Sequence, residues 1–177
     1  MAGLVFETCE IKDVTIVPPG FKNEQPDDTE VLKMEVVPGI PALCAGAALL
    51  GAPLTHDFAA ISLSDLLTPW ELIEKRIEAA AGSDFVIVLY NPKSKKRTWQ
   101  LDRARQILLK HRDKNTPVGI VSRAMRERQN VEIVSLESMH TADVDMQTTV
   151  FVGSSTSSQY LEFMYTPRGY ARKYNIK

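Results

Sequence analysis

An α/β fold, with a mixed sheet of about five strands flanked by helices, is predicted by three features of this sequence. From residue 56 onward, strand-like runs alternate with amphipathic helical runs. One run, 85–90, is apolar along almost its whole length, as a strand covered on both faces should be. Near the end the strand-like runs crowd together, which makes the sheet a mixed one.

Each element has its own reason. Ala2-Gly3-Leu4-Val5-Phe6-Glu7 reads as the middle of a helix, with no capping residue before it. Residues 11–29 carry Pro18-Pro19-Gly20, Pro26 and several charges, so they form a loop or linker with room for a short strand at 14–17. Residues 31–37 alternate apolar and polar and read as a strand, which Pro38-Gly39 ends. The Ala- and Leu-rich stretch 40–50 reads as a buried helix, with Pro41 in its first turn, where a missing N–H does no harm. A strand is expected over 58–63. Thr68, Pro69 and Glu71 then suggest an N-cap, a first helical residue and a capping-box partner. The helix they open, 69–81, puts Trp70, Ile73 and Ile77 on one face. After the 85–90 strand, a helix over 98–111 buries Leu101, Ala104, Ile107 and Leu108. Strands follow over 117–121, 131–135 and 148–152.

Composition narrows the function. The chain has 177 residues and a hydrophobic share of 44%, enough for one sizeable core. Its 21 basic and 22 acidic residues give a net charge of −1, which disfavours a dedicated nucleic-acid binder with a domain-wide basic field. Two cysteines, Cys9 and Cys44, make no disulfide framework and fit a reducing, cytoplasmic setting. The three histidines are far apart and no metal-ligand spacing occurs, so no metal site is expected. The apolar stretch 40–54 is interrupted by Pro41, Gly46, Gly51 and Pro53 and is too short to span a bilayer.

In α/β sheets, ligands bind outside the carboxyl ends of strands. That rule directs attention to the loops 90–97, 122–129 and 153–158. The first ends a buried strand at Pro92 and carries Lys93, Lys95, Lys96 and Arg97 within five positions. A cation cluster suits carboxylates or phosphates, and it is poorly placed for the dipole of the helix that follows. Asn91 can hold an unusual backbone angle there. In the second loop, small Ala124 lets a flat ligand approach the backbone, while Arg123, Arg126 and Arg128 offer charge; a charged hairpin turn explains the same residues. The third, rich in Gly and hydroxyls, is neither a GxGxxG nor a Walker loop. Asp65, just before the Thr68 helix, reads either as a cleft carboxylate or as a helix-entry residue.

Six segments in order, VVPGIPA, GAPLTHDFAAISLSDLLTPWE, DFVIVLYNPKSKKR, TPVGIV, TTVFVG and TPRGYARKY, resemble precorrin-3B C17-methyltransferases, members of the tetrapyrrole (class III) methyltransferases. LSDLLTPWE and LYNPKSKKR are the most specific of them. The resemblance implies an enzyme of corrin (cobalamin) synthesis that uses S-adenosylmethionine, leaving S-adenosylhomocysteine. It implies methylation at C17 of precorrin-3B or its cobalt form, with ring contraction to the precorrin-4 level, and a homodimer. It places Pro41, Ala42, Tyr90, Asn91, Ala124 and Met125 on the cofactor side. Asp65, Lys93, Lys95, Arg97, Arg123 and Arg126 are the expected partners of the carboxylate-rich tetrapyrrole; no catalytic base is singled out. Pro41 stands where many relatives have Thr or Ser, so no hydroxyl is offered there. The family's glycine-rich first loop and GDPGxY-like motif do not occur. Residues 1–37 are therefore expected to be the tail of an amino-terminal domain with its linker, and 38–177 a carboxy-terminal α/β domain. The alternative is a truncated, non-catalytic assembly module that needs a separate amino-terminal half.

Overall fold

The structure, a computed structural model, describes residues 2–20 and 31–175, with no side-chain account of Arg172. From residue 21 the loop expected over 11–29 lies outside the described residues. The chain divides into two compact units, Met1–Gly39 and Ile40–Lys177.

In the first unit, helix α1 (Ala2–Ile11) precedes two short parallel strands, β1 (Ile16–Val17) and β2 (Leu32–Lys33). The strand expected over 31–37 is thus cut to two residues. Its ladder ends where Met34 donates to the Val17 carbonyl, because Pro18 and Pro19 have no N–H to extend the pairing. Val36 and Val37 are left exposed.

The second unit is built on a five-stranded sheet, in order β4 (Phe58–Ser62), β5 (Val86–Tyr90), β8 (Thr148–Val152), β6 (Pro117–Ser122), β7 (Asn130–Ser135). β4 and β5 are parallel. β8 lies between β5 and β6 and runs antiparallel to both, and β6 and β7 form an antiparallel hairpin. The mixed five-stranded sheet is thus as the sequence predicts.

Helices α3 (Trp70–Gly82) and α4 (Gln100–Leu108) cover one face, where Ile73, Ile77, Leu101 and Leu108 pack against Ile87, Leu89, Ile120 and Val150. The 3.6-residue spacing read from the sequence supplies that face. Helix α2 (Ala42–Leu50) covers the other, over Val88, Val121 and Phe151. It sits close because Gly46 faces the Phe151 ring, which a Cβ would approach to 2.7 Å, and Gly119 faces Leu50. A small sheet of β3 (Gly51–Ala52), β10 (Phe163–Tyr165) and β9 (Ser158–Tyr160) adds Met164 to this core.

Two local expectations are corrected. Thr68 does not cap α3: Pro69, with ψ 139°, is the N-cap, and its carbonyl accepts the Leu72 and Ile73 N–H groups. Thr68 is one residue too early. Likewise Pro41 is the N-cap of α2 rather than a first-turn residue.

The antiparallel course of β8 also moves a loop. The carboxyl ends of β4, β5 and β6 share one end of the sheet, with the amino end of β8. The loop 153–158 therefore lies at the opposite end, where Gly153 N–H bonds to the Pro117 carbonyl and Asp84 accepts from Ser155 N–H at 2.8 Å. It is a structural joint, and Arg112 completes it by donating to the Gly153 and Phe85 carbonyls.

Candidate functional site

The shared carboxyl end of β4, β5 and β6 holds two clefts. β5 ends in Tyr90, whose hydroxyl accepts the Leu43 N–H of the first turn of α2 at 3.0 Å. That contact satisfies a helix-end donor and fixes α2 against the sheet. Asn91 follows in the left-handed region, φ +53°, and its Nδ2 donates to Ser62 Oγ at 2.9 Å across to β4. Arg123, Met125 and Arg128 in the β6–β7 loop also have positive φ, 52°, 58° and 60°. Left-handed non-glycine residues cost energy and gather where a surface is shaped for use.

The first cleft, about 320 Å³, lies between α2 and these loops. It is lined by Ala42, Tyr90, Asn91 and Ala124 of the expected cofactor group, together with Arg123 and Arg126. Pro41 and Met125 do not line it. Pro41 turns its carbonyl into α2, toward Cys44 and Ala45 N–H, and Met125 is 63% exposed on the loop. Arg123 ion-pairs with Asp145 at 2.6 Å. Asp145 also takes the Gln147 N–H and the Thr148 hydroxyl, and Thr148 meets Ser122 Oγ at 2.7 Å in the buried floor. Arg123 is therefore already half-neutralised, while Arg126 enters no ion pair among the described residues.

The second cleft, about 900 Å³, is lined by Asp65, Lys95, Lys96, Arg97 and Trp99. Lys93 faces an adjoining hollow that it shares with Lys95 and Met146. Lys93 and Lys95 make no ion pair among the described residues. Arg97 is committed: Nη1 donates to the Asn91 carbonyl at 3.2 Å and Nη2 to Met146 Sδ at 3.0 Å. Asp65 accepts from Nε2 of buried Gln100 at 3.0 Å, which aims its carboxylate. Trp99 stands edge-on to Trp70, with ring centroids 4.8 Å apart. Trp70 in turn donates to Glu74, whose Oε1 also takes Arg103 Nε at 2.5 Å. The Arg103 hydrogen bond holds the Glu74 carboxyl below the usual carboxylate range.

Of the residues expected from the sequence, four cofactor-side residues line one cleft and Asp65, Lys95 and Arg97 the other, while Pro41, Met125 and Lys93 line neither. Arg123 and Arg126 belong with the first group by position. Asp145, Met146 and Thr148 had no signal in the sequence, since the lead-in to a strand reaches this end only if the strand is antiparallel. Among the described residues no cluster of three His, Cys, Asp or Glu side chains forms, and no helix is long and apolar enough to cross a membrane.

Residues 27–140 match the family profile of tetrapyrrole (corrin/porphyrin) methylases. The chain belongs to that family. A crystal structure of the methyltransferase CobJ superposes with a TM-score of 0.77 and 35% identity, over 94% of this chain and 64% of CobJ. The cobalt precorrin-4 methyltransferase CbiF, 19% identical with a TM-score of 0.57, shares the fold. In sequence, this tetrapyrrole methylase chain is 50% identical to the cobalt-factor III methyltransferase of Priestia megaterium, over 99% of its own length and 30% of the relative's. It is 45% identical to a probable cobalt-factor III C17-methyltransferase of Salmonella typhimurium, over 96% of its length and 64% of the relative's. It therefore spans between 30% and 64% of the length of these relatives, and the resemblance read from LSDLLTPWE and LYNPKSKKR holds at the level of family and fold.

Proposed function

We propose that this chain serves an S-adenosylmethionine-dependent methyltransferase of corrin synthesis, which methylates C17 of precorrin-3B or its cobalt counterpart with ring contraction to the precorrin-4 level. The observation that carries it is the pairing of two adjoining clefts of unlike chemistry at one sheet end. The names of the relatives, cobalt-factor III methyltransferases, support the substrate class.

The first cleft fits the cofactor. Ala42, Ala45 and Ala124 leave room for flat groups, and Asn91, Gln147 and Thr149 add polar lining. When bound, S-adenosylmethionine supplies an electrophilic methyl group. The chain's own part is to position: Tyr90 fixes α2, Asn91 and Ser62 fix the strand ends, and Arg126 offers a cation that is in no ion pair among the described residues. In the second cleft, Lys95 and Lys96, with Lys93 beside them, meet the peripheral carboxylates. Trp99 and Leu66 give the macrocycle an apolar wall, and Asp65 faces it with an aimed carboxylate.

Calorimetry tests the cofactor side. S-adenosylhomocysteine is expected to bind in the millimolar range, and Ala124→Trp to abolish binding, with circular dichroism showing that the variant stays folded. No heat from the parent chain at those concentrations would sink the reading.

The same proposal takes residues 1–37 as the end of an amino-terminal domain and 38–177 as the carboxy-terminal one, acting in the cytoplasm as a homodimer or with a partner chain that completes the cleft. The longer span of the relatives supports it. So does α1, where Leu4, Phe6 and Ile11 are exposed beside an apolar hollow of about 410 Å³ lined by Phe6, Ile16 and Met34. The same surface favours the alternative, an assembly module without activity of its own. Light scattering that finds a monodisperse monomer counts against both the homodimer and the module.

A further inference from the structure

Met146 occupies a place that no other side chain shares among the described residues. It lines the first cleft, the second cleft and the hollow beside Lys93. It stands two residues before β8, 51% exposed, in the strand lead-in that the antiparallel insertion brings to this end. Nor is it loose, since Arg97 Nη2 donates to its sulfur while Nη1 holds the Asn91 carbonyl. One guanidinium therefore ties the β5 loop, which borders both clefts, to the side chain between them.

We propose that Met146 is the partition between the two clefts, and that Arg97 is the positioning residue that holds it. This rests on the reading of one cleft for the cofactor and the other for the tetrapyrrole. A methyl group that crosses from the first cleft to the second passes this side chain. Its bulk then sets how closely the two ligands approach, and which edge of the macrocycle faces the donor. A thioether suits the place: it is polarizable, unbranched and adaptable to a large flat neighbour on either side. Arg97 consequently serves the substrate through Met146 and Asn91 rather than by gripping a carboxylate.

Peroxide footprinting of the full chain, in the dark with mass-spectrometric readout, tests this without requiring turnover. Exposed thioethers oxidise to sulfoxides, and a ligand that covers one slows it. Met125, 63% exposed and lining neither cleft, is the internal control. S-adenosylhomocysteine alone and uroporphyrin III alone are each expected to slow oxidation of Met146 several-fold and to leave Met125 unchanged. Arg97→Ala is expected to speed Met146 oxidation in the unliganded chain, because the guanidinium N–H no longer covers the sulfur lone pair; Arg97→Lys should restore it in part. Binding of both ligands, seen as calorimetric heat and as quenching of tryptophan fluorescence, with protection by one or neither, would overturn the partition and leave the functional reading intact. Absence of heat and quenching overturns the functional reading, and the partition with it.

Discussion

A single phenol joins the sheet to the helix above the first cleft. Tyr90→Phe keeps the ring and removes the acceptor of Leu43 N–H, which should cost about 1 kcal/mol of stability. Affinity for S-adenosylhomocysteine should fall with it, read by thermal unfolding and calorimetry on the same samples. Arg112 matters at the other end. Its burial depresses its pKa, its Nε has no partner among the described residues, and its two terminal nitrogens hold the Phe85 and Gly153 carbonyls. Arg112→Ala should cost about 1–3 kcal/mol for each carbonyl left unsatisfied, seen in denaturant melts, without changing ligand affinity. Residue identity made some of this legible. Asn tolerates the left-handed region, and Asn91 adopts it. Arg123 and Met125 adopt it too, and nothing in their side chains announces that; the tight β6–β7 turn imposes it. Thr68 shows the converse, a good cap whose neighbour took the position.

At the scale of elements, α3 and α4 act as one plate. Ile77 is fully buried between α3 and the sheet, so Ile77→Ala should destabilise by about 2–5 kcal/mol in a denaturant melt. Gly46→Ala pushes a methyl into the Phe151 ring and should cost about 1–3 kcal/mol, lifting α2 from the sheet above the first cleft. The plate is clasped by Glu74, which bonds both Trp70 and Arg103. Because the folded-state pKa of Glu74 is depressed, its contribution is present above the unfolded value of about 4.3 and is lost as pH falls through the lower folded value. The midpoint difference between the parent and Glu74→Gln should therefore be visible at neutral pH and vanish in acid. These helices were legible because long amphipathic periods leave little choice. The strands β9 and β10 were not, since three residues are too few to establish a period, even where Met164 is buried between exposed neighbours. The direction of β8 was hidden as well, because an apolar run reads the same in either orientation.

Across the whole molecule, charge is balanced but not evenly spread. A net charge of −1 coexists with Lys93, Lys95, Lys96 and Arg97 at one sheet end. Uroporphyrin III binding should therefore weaken as salt rises and weaken further in a Lys95→Ala, Lys96→Ala double variant, while duplex DNA should show no measurable affinity. Fluorescence titration across an ionic-strength series checks both. The same asymmetry has a counterpart in the order of synthesis. β8 is laid between β5 and β6 although it leaves the ribosome after both. Until it emerges, β4–β5 and β6–β7 are separate ribbons, each with an open edge. Neither cleft has all its walls, since the first draws on both ribbons and on β8, and the second on Met146 in the lead-in to the late strand. A nascent chain that stops short of residue 148 is thus unable to assemble the pocket, and a finished one closes its sheet and completes its binding surface in a single late step.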